Sequence, residues 1–394
     1  MPIPTGKVKL LFVDDEPMIL RGLRSVFRKE RDVWDMAFAT SGAEALELLA
    51  AAPFDVIVTD MRMPEMDGAQ LLAIVQERWP RTSRIVLSGQ AERGALLRML
   101  PMLHGFLSKP CSSQDLRVAI SRCSGHLECP VLRAMIGKLD KLPSTVASHA
   151  RIVAAAGKRH ETLAAILEDS ALALKILQIA CSGAFGESQP APSVAACAGY
   201  LGDALVEAIA ADPALCAPDA GPPLPISIDH LQAHALRTAQ LAGAFIQDRA
   251  GSELAYTCGL LHDIGRIVLQ RSAPDAYTAM CDELKITGER LVIAERRCFG
   301  SDHAAIGGAL MRLWGLPQPL VEAVEHHHEP EGASAEVADI IAVVHVAEKL
   351  ADHADSTEID PAFLRSPKLA AQLPRWRGIA QAASDASARS GIRT

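Results

Sequence analysis

The sequence predicts a chain of more than one domain, a doubly wound α/β domain followed by an all-α one. Three observations carry this. Between Lys7 and Cys123, strand-like and helix-like patterns alternate five times, as in a parallel sheet with crossover helices. After Pro130 no convincing strand pattern recurs, and segments rich in Ala and Leu with helical periodicity take over. The chain of 394 residues, 49% of them hydrophobic, is also long for a single core, so two or three globular domains are expected.

The first strand, near 8–15 in KLLFVDDEP, ends on Asp14 and Asp15. A helix within 17–30 follows, then a strand near 33–40 and a helix over 41–52, where Ser41 offers an N-cap and Glu44 stands at the capping-box position. The central strand lies in FDVIVTDMRMPEMDG, 54–68. Phe54, Val56, Ile57 and Val58 form a short apolar run suited to a parallel strand covered on both faces. Asp60 closes that run, and Pro64 and Gly68 free the backbone to turn into a helix near Asp67. The fourth strand, near 84–89, delivers Ser88, and Pro101 falls where the fourth helix should end, so that helix is expected to be short. The fifth strand, near 104–109 in GFLSKP, carries Phe106 and delivers Lys109. The last helix starts near Ser112 and is broken at Gly125 and Pro130. The expected boundaries are therefore a first domain over 1–124, a linker over 125–130 and a second domain over 131–355.

Open α/β sheets place their chemistry at the carboxyl ends of the strands, so Asp14, Asp15, Asp60, Ser88 and Lys109 should converge on one rim. Carboxylates held that close repel one another, and a hard divalent cation with oxygen ligands, Mg²⁺ by preference, is the natural neutraliser. Helix capping explains any one of these acids but not the whole set. On these residues, 7–122 resembles the receiver domain of two-component response regulators. The resemblance implies a flavodoxin-like five-stranded parallel sheet of order 2-1-3-4-5 and a phosphoryl group received by Asp60 from a cognate histidine kinase. It also implies Mg²⁺ held by Asp14, Asp15, Asp60 and the Arg62 carbonyl, Lys109 against the phosphoryl oxygens, and Ser88 with Phe106 as the switch pair.

In the second domain, KLDKLPS reads as a connector and HETLAAILEDSALALKILQIACSGAFG as helix. The proline-rich ADPALCAPDAGPPLP reads as a surface loop before a histidine-rich helical group. The adjacent His262 and Asp263 in GLLHDIGRIVL need a reason to sit in an apolar helix. A divalent metal supplies one and mutual hydrogen bonding in a core supplies another; chemistry alone leaves both standing. Residues 356–394, where the apolar pattern thins, read as a poorly ordered tail.

The segments DSALALKILQIACSGAFG, LLHDIGRIVL, SDHAAIGGALMRLWGLP, VEHHHEP and VVHVAEKL resemble an HDOD domain, an output module related to HD-type metal phosphohydrolases. The resemblance places His234, His262, Asp263, His303 and the His326–His328 cluster, His327 among them, at ligand positions. It puts His345 where the closing Asp of active enzymes stands. The loop after His328 reads HHHEPEGASAEV without a Gly-Tyr-Pro motif, and Arg266 stands where cyclic-di-GMP phosphodiesterases have Lys. Losing an anionic oxygen ligand weakens a site for hard metals, although an imidazole still suits a softer ion such as zinc. The expectation is thus a vestigial HD site, with a divalent metal in this half an open question. The expected function is a response regulator whose output half binds a protein partner or a signalling nucleotide. The rival is a receiver-gated, metal-dependent phosphohydrolase.

A net charge of −8 argues against a nucleic-acid-binding surface. Nine cysteines, an odd number with no CxxC pair, fit reduced thiols rather than a disulfide framework. No apolar run approaches the roughly 18 residues of a membrane span. A soluble, cytoplasmic protein is expected, with a homodimer as one form it could take.

Overall fold

The computed structural model describes residues 7–89, 99, 103–124, 142–155, 158–183, 190–212, 217–218, 224–330, 332–354, 356, 358–364 and 366–389. The chain divides into two compact units, the first comprising Met1–Lys141 with Gln178–Gln189 and Arg312–Gly315, the second the remainder.

The first unit is a parallel sheet of β1 (Val8–Val13), β2 (Trp34–Ala39), β3 (Val56–Asp60), β4 (Ser83–Ser88) and β5 (Gly105–Ser108) in the order β2-β1-β3-β4-β5. This is the order the resemblance implies. Strand β3 lies between β1 and β4, and all five of its residues are buried, as its unbroken apolar run requires. The described helices of this unit are α1 (Pro17–Val26), α2 (Gly42–Ala51), α3 (Gly68–Arg78) and α4 (Ser113–Ser124). Leu71, Leu72 and Val75 of α3 and Leu49 of α2 pack in one core with Leu11, Ile57, Val86 and Phe106 of the strands.

Local chemistry sets the helix ends. The Ser41 hydroxyl accepts from the Glu44 amide at 3.2 Å, while the Glu44 carboxylate reaches one residue further back than a capping box requires and accepts from the Thr40 amide at 2.6 Å. Asp67 and Gln70 form a full capping box at the start of α3. The helix expected within 17–30 is shorter: after Val26 the chain tightens into a 3₁₀ turn, Phe27–Asp32. There the fully buried Phe27 meets Trp34 edge-on at 5.4 Å. Pro101, with most of the fourth-helix region, and the linker at 125–130 lie outside the described residues.

The second unit is helical, as expected, apart from a two-residue parallel ladder between Pro143–Ser144 and Ala217–Pro218. The long apolar segment at 160–186 is two helices, Arg159–Leu167 and Ser170–Cys181. Asp169 makes the break: its carboxylate accepts from the Leu172 amide at 3.0 Å and from the Ser144 hydroxyl at 2.5 Å. Helix Ile228–Phe245 packs against both Arg249–Leu261 and Ala338–Asp352, and this trio frames the histidine cluster. Most of the proline-rich passage lies outside the described residues.

The expectation of a poorly ordered tail is corrected. Helix Leu373–Arg389 packs on Ile228–Phe245, and Trp376, 2% exposed, stacks on Phe245 with ring centroids 5.1 Å apart. Phe363, Leu369 and Ala380 are buried as well. A few widely spaced apolar anchors order a segment whose composition is otherwise polar and small. Among the described residues no single helix is long and apolar enough to cross a membrane, and no disulfide joins the described cysteines.

Candidate functional site

The first site is the carboxyl-end rim of the sheet. Asp14 directly follows β1, Asp60 ends β3 and Lys109 directly follows β5. The Lys109 ammonium donates to Asp14 Oδ2 at 3.1 Å and to Asp60 Oδ1. The Arg62 amide donates to Asp60 Oδ2 at 2.7 Å and the Glu16 amide to Asp14 Oδ1 at 3.0 Å, fixing both carboxylates. Burial works against the charged ammonium of Lys109, but its hydrogen bonds to Asp60 and Asp14 outweigh that and raise its pKa. Ser88 ends β4, one register step beyond Leu87, which pairs with Asp60, and its carbonyl accepts from the Lys109 amide at 2.6 Å. Phe106 is buried in the core. Gly68 is required where the chain re-enters α3, since a Cβ there would collide with the Asp60 carbonyl.

Asp14, Asp60 and Lys109 are thus in contact, and Asp15 is half-buried on the same strand end. Three carboxylates against one ammonium leave an excess of negative charge on a rim built of hard oxygen donors. These residues fit a small divalent cation such as Mg²⁺.

The second site lies wholly within the helical unit. His234 comes from Ile228–Phe245, His303 begins His303–Leu313, and Glu348 comes from Ala338–Asp352. His262 and Asp263 occupy the joint between Arg249–Leu261 and Ile264–Ser272, and His327 and His328 follow Gln318–Glu325. Ligand atoms of His234, His262 and Asp263 lie within 4.8 Å of one another, and those of His303, His327 and His328 do likewise. Asp263 joins the groups: its Oδ1 is 3.2 Å from His303 Nε2 and its Oδ2 is 3.6 Å from His262 Nε2. Gly265 allows this approach, because a Cβ there would strike the His303 carbonyl.

Two of the imidazoles are held from behind by backbone carbonyls. His262 Nδ1–H donates to the Gly259 carbonyl at 2.8 Å and His327 Nδ1–H to the Val324 carbonyl at 2.7 Å. Both Nε2 atoms therefore carry lone pairs, and both are buried without a hydrogen bond among the described residues, as is Glu348 Oε2. Burial pushes His262 down and His327 down to about 3, the latter helped by the neighbouring His262. His303 behaves oppositely. Burial disfavours its cation, but Glu295, 2.6 Å from Nδ1, and Asp263 push it up to about 10. Glu348 resists the effect of burial and is held down at about 2 by Lys349, His327 and His262. Arg266 donates to Asp263 at 2.6 Å, which overcomes burial and holds that carboxyl well below its usual range.

Unpaired, buried lone pairs are costly unless something electrophilic meets them. Here they converge with two carboxylates, a donor set suited to an imidazole-preferring divalent metal. The residues therefore fit a metal, and the two groups joined by Asp263 have room in their donor count for a pair. A cleft lined by His234, Glu348, Lys349, Asp352, His353, Ser356 and Glu358 opens on the cluster.

One expected member is corrected. His345 does not join the cluster: its Nδ1–H donates to the His327 carbonyl at 2.9 Å, its Nε2 accepts from the Asp360 amide at 3.2 Å, and its ring stacks on Phe363 at 3.8 Å. Glu348, three residues later on the same helix, supplies the carboxylate instead. His328 stands beside His327 as a further candidate ligand, its Nε2 2.9 Å from His303 Nε2. His326 bonds the Glu329 carbonyl and stays out of the cluster.

A family model described as the response regulator receiver domain matches residues 10–121, and one described as the HDOD domain matches 139–330. Response regulator protein PilR of Pseudomonas aeruginosa is 31% identical over 139 residues, covering 34% of this chain and 31% of the relative. Protein-glutamate methylesterase/protein-glutamine glutaminase of Pyrococcus horikoshii is 29% identical over 116 residues, covering 29% and 31%. The chain thus spans about a third of the length of these curated relatives. The MmoQ response regulator of Methylococcus capsulatus, a solved structure, is 24% identical with a TM-score of 0.49, covering 60% of this chain and 93% of that one. With the β2-β1-β3-β4-β5 sheet first and the helical unit after it, the chain is a response regulator that joins a receiver domain to an HDOD domain.

Proposed function

We propose that Asp60 is the phosphoacceptor of a phosphorelay from a histidine kinase, and that its modification switches the HDOD half, which acts by binding a protein or a signalling nucleotide. The observation that carries the reading is the Lys109 ammonium bridging Asp14 and Asp60 at the sheet rim. In-line phosphoryl transfer needs positioning and charge neutralisation more than covalent help from the protein. Asp60, its Oδ2 steered by the Arg62 amide, presents the attacking oxygen. Lys109 stands ready to pair with the transferred oxygens, and the Ser88 hydroxyl, at the end of the neighbouring strand, is the second donor. Mg²⁺, held by Asp14, Asp15, Asp60 and the Arg62 carbonyl, would neutralise the charge gathered there. The test is intact-mass analysis after incubation with a small-molecule phosphodonor and Mg²⁺. One phosphoryl group on the native chain and none on Asp60→Asn is expected, and uptake persisting in the variant overturns the assignment.

A specific observation favours a second reading of the output half, a metal-dependent phosphohydrolase. The Nε2 atoms of His262 and His327 and the Oε2 of Glu348, all buried without a hydrogen bond among the described residues, describe a donor set kept for a metal. A divalent metal held by these residues would activate water for attack and stabilise the charge that develops on a phosphoester. Metal analysis with cyclic dinucleotides and nucleoside polyphosphates as substrates separates the readings. Turnover that is lost in His262→Ala and Asp263→Ala establishes the hydrolase, and metal bound without turnover supports a binding output.

A further inference from the structure

His345 and Glu348 lie three residues apart on helix Ala338–Asp352 and so share a face, yet they do different things. Glu348 brings to the cluster an oxygen that accepts no hydrogen bond among the described residues and lies 3.8 Å from His328 Nδ1. His345 has none to offer: both ring nitrogens are engaged, and its ring lies nearly parallel to Phe363, at 8°. A histidine so saturated is neither ligand nor base. What it grips is informative, because one nitrogen holds the main chain of His327 and the other holds the amide of Asp360 at the start of the Pro361–Leu364 turn. The direction of the His327 Nε2 lone pair depends on where that main chain sits, since the ring is tied back to Val324 only three residues away. Family matching ends at residue 330, so the partner segment lies beyond the matched region.

We propose that His345 is the positioning residue for the His303, His327 and His328 half of the cluster, clasping the His327 main chain to the C-terminal turn around Phe363. The inference rests on the reading of the cluster as a metal site and deepens it. The His234, His262 and Asp263 half has anchors of its own in Gly259, Asp352 and Arg266, besides the contact of Asp263 with His303. Loosening the clasp therefore weakens one metal position and spares the other. The C-terminal segment becomes part of the metal site through His345, although it contributes no ligand.

The test uses the full-length chain with zinc alone, read by metal content and by competition with a chelator. The native chain is expected to hold two zinc ions. His345→Phe keeps an aromatic ring against Phe363 and removes both hydrogen bonds. It should lower the affinity of one ion by about 10- to 100-fold, the range for removing a group that orients a ligand, and leave the other within about twofold. His345→Gln, which retains an amide donor for the His327 carbonyl, should recover part of that loss. Phe363→Leu should weaken the same ion, and it carries the test if His345→Phe does not fold. Leu350→Ala, a buried change on the same helix, controls for general destabilisation and should not discriminate between the ions. Native-like binding of both ions in His345→Phe and Phe363→Leu overturns the proposal while leaving the metal site intact, as does equal weakening of both ions. Failure of the native chain to bind zinc removes the metal-site reading itself, and this proposal with it.

Discussion

At the scale of single residues, the receiver rim and the histidine cluster solve opposite electrostatic problems. The rim carries excess negative charge close to solvent, with the half-buried Lys109 paired to both Asp14 and Asp60. Lys109→Ala should leave Asp14 and Asp60 facing each other, costing about 1 kcal/mol because the 28% exposed lysine is screened. Added Mg²⁺ should restore that loss, which denaturant titrations with and without the cation would reveal. In the cluster, Glu295 is fully buried, accepts from the Tyr277 hydroxyl at 3.1 Å and braces His303. Glu295→Gln keeps the shape but removes the charge behind His303, so zinc affinity should fall about 10- to 100-fold with little change in secondary structure. Unchanged affinity by chelator competition would make Glu295 a packing residue only. The sequence makes the rim legible because strand ends are easy to read: an apolar run stops on an acid, a serine or a lysine. His262, Asp263 and His303 stand out for a similar reason, being polar in apolar helices. Glu348 does not stand out. Residues 345 and 348 share a helix face, and what decides between them is the hold on His345 by Phe363, the His327 carbonyl and the Asp360 amide.

Elements impose the next constraint, because both sites need backbones closer than side chains normally permit. Gly265 lies in the first turn of the helix after the His262–Asp263 pair, with no room for a Cβ against the His303 carbonyl. Gly265→Ala should therefore push His303–Leu313 away from Asp263 and lower both metal content and thermal stability. A variant with native zinc content and melting temperature would show that the helices can shift without consequence. The C-terminal helix is the element that composition concealed. Leu373–Arg389 is rich in Ala, Arg and Ser, and its order depends on Trp376 meeting Phe245 in the core. Trp376→Ala should destabilise the helical unit by about 3–5 kcal/mol, the usual cost of emptying a buried aromatic site. Denaturation followed by far-ultraviolet circular dichroism checks this, and an unaltered midpoint would return the segment to the status of a tail. Hydrophobic periodicity found the long helices but could not find this one, because one indole among small residues gives no periodic signal.

For the whole molecule, the question is whether a charge placed on Asp60 is felt at the histidine cluster, and thermodynamics supplies a test that needs no assumption about the route. If the receiver controls the HDOD half, the phosphorylated and unmodified states must differ in their preference for some HDOD conformation, and a ligand of that half must feel the difference. Coupling between binding sites is reciprocal. Beryllofluoride with Mg²⁺ mimics a phosphoryl group on a carboxylate without hydrolysing, and zinc serves as the ligand of the cluster. Beryllofluoride should change the zinc Kd by some factor, and zinc should change the beryllofluoride Kd by that same factor. Allosteric couplings of about 1–3 kcal/mol correspond to roughly 5- to 150-fold, well within calorimetric resolution. Ser88→Ala and Phe106→Ala should reduce both factors together while leaving Asp60 able to bind beryllofluoride, because the hydroxyl and the buried ring would transmit the charge rather than receive it. Asp60→Asn should abolish the coupling by removing the anchor. Two factors equal to one within error would mean that the receiver acts on some property of the chain other than the cluster. Two equal factors that survive Ser88→Ala and Phe106→Ala would locate the transmission outside the switch pair, in the β3–α3 loop that carries Arg62.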